Sequence, residues 1–194
     1  MHEPGNEHLS KAEWRARVLR ARAEVPPQQH AREAAALAAA AAAIRAETVC
    51  AYLPFGTEPG LLSLVEALSG TGARVLLPVI RPTPGPLDWA TYTGPDDLAP
   101  GPLRGILEPA GPRLGSDAVA AAEVILVPAL AVDRRGVRLG RGAGHYDRSL
   151  GTATADLLAV VRTEELVDLL PGEPHDVPMA AALTPDGLVR LPAP

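Results

Sequence analysis

The chain has 194 residues, 47% of them apolar, a formal charge of −5 and one cysteine. That length builds one domain with a real core, the acidic balance argues against broad nucleic-acid binding, and a lone cysteine excludes an intrachain disulfide or a cysteine-built metal cage. One Phe, two Trp and three Tyr leave the core to Leu, Val, Ile and Ala.

The opening MHEPGNEHLSKAEWRARVLR has no apolar signal-peptide core, and the alanine-rich tract 34–44 is too short to span a bilayer. A cytoplasmic protein with no membrane partner is therefore expected. Ser10, with Glu13 three residues later, spells a capping box. The helix it opens carries Trp14, Val18 and Ala21 on one face, with Lys11, Arg15 and Arg22 near a common side. Pro26-Pro27 ends that helix, and a second, alanine-rich one is expected over 28–46. The β-branched, apolar run TVCAYLPF (48–55) predicts a strand over 48–53, with Cys50 as a small buried residue. A PFGTEPG turn, a helix over 61–70 and a strand over 73–80 complete a β-α-β unit, which calls for a parallel sheet.

Residues 81–118 are rich in Pro and Gly. LDWATYT (87–93) alternates like a strand, and GILEP (105–109) reads as a short connector. AAEVILVPAL (121–130) is a buried strand, YDRSLG opens a short helix, and 157–163 and 181–191 supply the last strands. The expected fold is a single α/β domain over 1–194, a mostly parallel sheet with helices on both faces, frayed at 1–9 and 192–194.

Between the strand at 121–130 and that short helix lies RLGRGAGHYDR (138–148). Glycine costs about 0.5–1 kcal/mol relative to alanine inside a regular element, so Gly140, Gly142 and Gly144 need a reason. One reason is a mobile surface turn. The other is backbone that approaches an anion closely with successive N–H groups, beside Arg138 and Arg141 and ahead of a helix start. The spacing is neither G-x-G-x-x-G nor a Walker loop.

The segment VPALAVDRRGVRLGRGAGHYDRSL (127–150) resembles the signature of the 5-formyltetrahydrofolate cyclo-ligase family, a strand followed by R-L-G-x-G-x-G-Y-Y-D. KAEWR, LPFGTEPG, GILEP and LPGEPHDVP are similar to four further family motifs and occur in the same order. The resemblance implies a fold of the NagB/RpiA/CoA-transferase type. It also implies ATP- and Mg²⁺-dependent closure of 5-formyltetrahydrofolate to 5,10-methenyltetrahydrofolate, releasing ADP and phosphate, by a monomer whose partners are ATP and a reduced folate.

Carried over position by position, the resemblance assigns ATP to Lys11, Arg15 and the whole run Arg138, Leu139, Gly140, Arg141, Gly142, Ala143, Gly144, His145 and Tyr146. Lys11 is the one lysine beside 17 arginines, so its retention fits a need for a compact ammonium. Reduced folate falls to Leu53, Phe55 and Glu58, together with Arg141, Gly142, Gly144 and His145. Arg141 and Tyr146 are the implied catalytic residues. Asp147 is the implied Mg²⁺ ligand and Asp176 a second one; an acid at a helix start is also simply favourable with the dipole.

The chain departs from the family pattern at Ala73, Val79, Ala143, His145, Arg162, which stands where an aromatic is expected, and Ala180. Two other readings stay open at this point: a sugar-phosphate isomerase of similar fold, and a non-catalytic folate- or nucleotide-binding relative.

Overall fold

The computed structural model describes residues 9–192; the expected fraying of 1–8 and 193–194 lies outside the described residues. Helix α1 (Lys11–Ala23) starts as its sequence dictates. The Ser10 hydroxyl accepts the Glu13 amide at 3.3 Å, and the Ser10 N–H donates to the Glu13 carboxylate at 2.8 Å. Leu9 packs against the same small cluster as Trp14 and Val18. The buried stripe is Trp14, Val18 and Arg22, so Arg22 faces inward where Ala21 was expected. Helix α2 (Pro27–Ala41) stops five residues short of the expected end. The chain turns there because Ile44 and Ala46 are drawn onto the sheet core, which outweighs alanine's helix propensity.

Five parallel strands form the centre: β1 (Thr48–Cys50), β2 (Arg74–Val79), β6 (Val124–Pro128), β9 (Asp156–Val160) and β11 (Ala181–Thr184). β3 (Asp88–Thr91) and β12 (Gly187–Arg190) add antiparallel edges, giving the order β12-β11-β9-β6-β1-β2-β3. Successive residues point to opposite faces. Val49 and Ala51 meet α2 and α3 (Leu62–Gly70), whereas Cys50 meets the other layer, where α4 (His145–Leu150) and the 3-10 turn 116–121 pack. Helical cover on both faces of a mostly parallel sheet is the expected class.

Two small sheets were not expected. β4 (Leu98–Pro100) pairs with β5 (Leu107–Pro109), so GILEP is a strand rather than a connector. β7 (Ala131–Asp133) lies between β8 (Arg138–Leu139) and β10 (Leu166–Val167). These strands are two or three residues long, too short for a period to show. Among the described residues, no helix is long and apolar enough to cross a membrane.

From β1 the chain winds outward to β2 and then returns to place β6 on β1's other side. The carboxyl ends of β1 and β6 therefore diverge at a topological switch point, where open α/β sheets form their clefts.

Candidate active site

A cavity of about 260 Å³ opens at that switch point. Tyr52, Leu53, Phe55 and Glu58 come from the exit of β1, Pro128 to Leu130 from the exit of β6, and the glycine loop closes the opposite side. Leu103, Ile106 and Leu107, from the β4–β5 hairpin, add an apolar wall that the sequence did not reveal. The cavity gathers every residue assigned from sequence except Lys11, Arg15, Leu139 and Asp176.

The loop is delivered by a turn built around Asp133. This carboxylate is fully buried and accepts the amides of Arg135, Val137 and Leu170 at 2.9–3.0 Å, together with the Arg135 guanidinium. Asp133 fixes β8 and hence where the loop begins. An aspartate closing the apolar run AVD ahead of RRG was a readable turn signal. Leu139 is buried with Trp14 and Val18, so its side chain is core.

Two guanidiniums hold the loop's carbonyls. Arg15 Nε donates to Gly140 O at 2.9 Å, and Arg148 Nη2 donates to Ala143 O at 3.0 Å. In a planar trans peptide the N–H points opposite to the carbonyl, so these bonds turn the Arg141 and Gly144 amides the other way. Among the described residues, the N–H groups of Arg141, Gly142, Ala143 and Gly144 have no acceptor. Gly142 (φ 103°) and Gly144 (φ 71°) adopt backbone that L side chains rarely enter. Gly140 is constrained differently: a Cβ there would stand 2.8 Å from Arg138 Nη1, so the end of that side chain would have to move. α4 has only six residues, so the anion-binding capacity is that of the loop amides.

Charge converges on the same space. Arg138, its side chain 8% exposed, bonds Pro128 O at 3.1 Å and Asp147 at 2.7 Å. Arg141 Nε reaches Glu58 at 3.3 Å and its guanidinium lies 5.5 Å from the Phe55 ring centre. Burial pushes the Glu58 carboxyl above its ordinary value, and the Phe55 amide with the charges of Arg141 and Arg22 only partly offsets this. Burial likewise raises the Tyr146 hydroxyl well above its ordinary value, with Glu58 adding to the effect, so the phenol keeps its proton. His145 is half-buried, and its carbonyl accepts the Ser149 hydroxyl at 2.7 Å.

Lys11, Arg15 and Arg22 project from one side of α1, as expected, but reach three different partners. Lys11 Nζ sits 2.8 Å from Glu173 and 3.2 Å from Asp176, Arg15 holds the loop, and Arg22 is buried against Glu165. Burial pulls the Lys11 ammonium down, but its bonds to Glu173 and Asp176 outweigh that and hold its pKa above the ordinary value. Glu173, His175 and Asp176 bring ligand atoms within 4.8 Å of one another, with the Lys11 ammonium bonded to both acids.

A family model described as the 5-formyltetrahydrofolate cyclo-ligase family matches residues 7–185. The chain belongs to that family. A curated 5-formyltetrahydrofolate cyclo-ligase of Mycolicibacterium smegmatis is 48% identical over 191 residues, covering 94% of this chain and 97% of the relative. The Escherichia coli K12 cyclo-ligase is 33% identical over 146 residues, 73% of this chain and 80% of that one. The NMR structure of Aquifex aeolicus 5,10-methenyltetrahydrofolate synthetase superposes with a TM-score of 0.79 at 25% identity, over 95% of this chain and 94% of that one. Sequence reasoning assigned nothing to Asp133 and Arg148, although both lie within the 127–150 segment, or to the apolar β4–β5 wall, which includes Ile106 and Leu107 of GILEP.

Proposed function

We propose that the chain cyclises 5-formyltetrahydrofolate to 5,10-methenyltetrahydrofolate at the switch-point cavity while ATP is split to ADP and phosphate. One observation carries the reading: four loop amides without acceptors among the described residues share a cavity with a buried carboxylate, Glu58, 3.3 Å from Arg141. The first group suits phosphate oxygens and the second suits paired N–H donors of a pterin ring.

The chemistry implied by the family is transfer of the γ-phosphoryl group to the formyl oxygen, attack of N10 on the activated carbon, and loss of phosphate. The chain's task is positioning and charge neutralisation. The amides of 141–144 and the guanidiniums of Arg138 and Arg141 bind the phosphates. Tyr146, holding its proton, donates from its hydroxyl. Phe55, Leu53 and the β4–β5 wall exclude water from the ring system. Asp147, its side chain 54% exposed, offers oxygen to a hard cation and would hold Mg²⁺. Mg²⁺, when bound, neutralises phosphate charge. Asp176 already accepts from Lys11 and from the Glu173 amide, and we assign it the lesser share in metal binding. Lys11 and Arg15 act on the phosphates from the loop's outer side.

A monomer is the proposed state, and the lone buried thiol of Cys50 accords with a reducing cytoplasm. The test is methenyl-folate absorbance with purified protein, 5-formyltetrahydrofolate and MgATP, against a control without ATP. Product is expected only with ATP; none at high enzyme concentration rejects the reaction.

A further inference from the structure

Two arginines of almost no exposure stand at the back of the cavity, Arg22 lining it and Arg162 outside the lining. Arg22, 3% exposed, directs Nη2 to Ala129 O at 2.7 Å and clasps both Glu165 oxygens at 2.7 and 2.8 Å. Arg162, 4% exposed, gives Nη1 to Thr57 O at 3.1 Å and Nε to Glu33 at 2.7 Å, with Nη2 2.9 Å from His30 Nδ1. The Arg162 amide also donates to Glu165, at 2.8 Å. Glu165 therefore ties the two arginines together.

The two carbonyls held this way occupy equivalent places. Thr57 immediately precedes Glu58 on the loop leaving β1, and Ala129 follows the last residue of β6. Both lie where ladder partners run out, on the two sides of the switch point. Burying so many charges is a poor route to stability, because desolvation offsets the Coulombic gain. A planar guanidinium fork, in contrast, fixes several acceptors at set angles from one side chain.

We propose that the Arg22–Glu165–Arg162 chain is the positioning device of the reduced-folate wall, setting Glu58 through Thr57 O and the β6 exit through Ala129 O. This rests on the folate reading of Glu58. Both arginines are positioning residues: Arg162 is engaged through Nε, Nη1 and Nη2, and Arg22 through Nε and Nη2.

Arg162→Lys keeps the charge beside Glu33 and loses the fork. Equilibrium dialysis of 5-formyltetrahydrofolate without ATP is expected to show about tenfold weaker binding, the cost of one charge-assisted hydrogen bond. KM for ATP and kcat stay within about twofold, a split that general loosening does not produce. Glu33→Gln leaves the Thr57 and Glu165 bonds in place and is the milder variant, with about threefold weaker folate binding expected. Unchanged folate affinity in a variant with native circular dichroism overturns the proposal, as does an equal rise in KM for ATP. Should Arg162→Lys fail to fold, Glu33→Gln decides by the same readout. Wild-type protein that binds the folate without turning it over rejects the proposed reaction and leaves this inference to the dialysis result.

Discussion

Gly140 and Gly142 sit two residues apart in one loop and are glycine for opposite reasons. At Gly142 there is space, the nearest atom to an added Cβ being Arg15 Cζ at 3.6 Å, but φ is 103°. At Gly140 the backbone is ordinary and the space is filled by Arg138. Gly142→Ala is therefore expected to cost about 1–2 kcal/mol of strain, the penalty for an L residue in left-handed backbone, and to lower the unfolding midpoint as it raises KM for ATP. Gly140→Ala displaces the flexible end of Arg138 from Asp147, so KM for ATP rises while denaturant unfolding stays within about 0.5 kcal/mol. Equal destabilisation in the two variants would reject the distinction. Sequence spacing made all three glycines look alike, because neither φ nor a side chain two residues away is visible in a pattern.

The elements around the loop act by holding its carbonyls rather than by offering their own ends. α1 contributes Arg15, and α4, whose six residues make fewer than two turns, contributes Arg148. Arg148 is exposed, so Arg148→Gln is expected to leave unfolding within about 0.5 kcal/mol. It should raise KM for ATP several-fold and leave KM for the folate unchanged. Loss of stability without a kinetic effect would mean the contact is only a surface bond. The elements themselves were largely legible: the capping box at Ser10, α3 and the parallel strands stand where their sequence patterns put them, but β1 and β6 are half as long as the expected 48–53 and 121–130. α2 ended early because Ile44 was needed by the sheet, and β7, β8 and β10 were too short to announce themselves.

At the scale of the molecule, the fold places a carboxylate where burial opposes its charge and arginines favour it. The folded protein holds the Glu58 proton at pH values where the unfolded chain has released it. Glu58 thus favours the fold below the ordinary carboxylate value, and that contribution is lost as pH rises through the raised value. Binding runs the other way, because pterin N–H donors need the charged form. KM for the folate is expected to climb on acidification at a pH above the ordinary carboxylate range, and Glu58→Gln should abolish that limb. A pH profile identical in Glu58→Gln and wild type would remove Glu58 from the folate site.

The sequence alone determined the fold class, the family resemblance and the chemistry-bearing loop, since those rest on local periodicity, turn residues and a contiguous motif. The tertiary structure decided which charges remain available. Arg22 read as one more basic residue on a helix face, yet it is buried on Glu165, 143 positions away. Lys11 read as a compact ammonium for ATP and is bonded to two acids 162 and 165 positions away. The Arg162 position read only as a missing aromatic, and folding makes it the donor that fixes Thr57 O beside Glu58. Such pairings depend on which loops the switch point brings together, and no spacing within the chain encodes that before the sheet has formed.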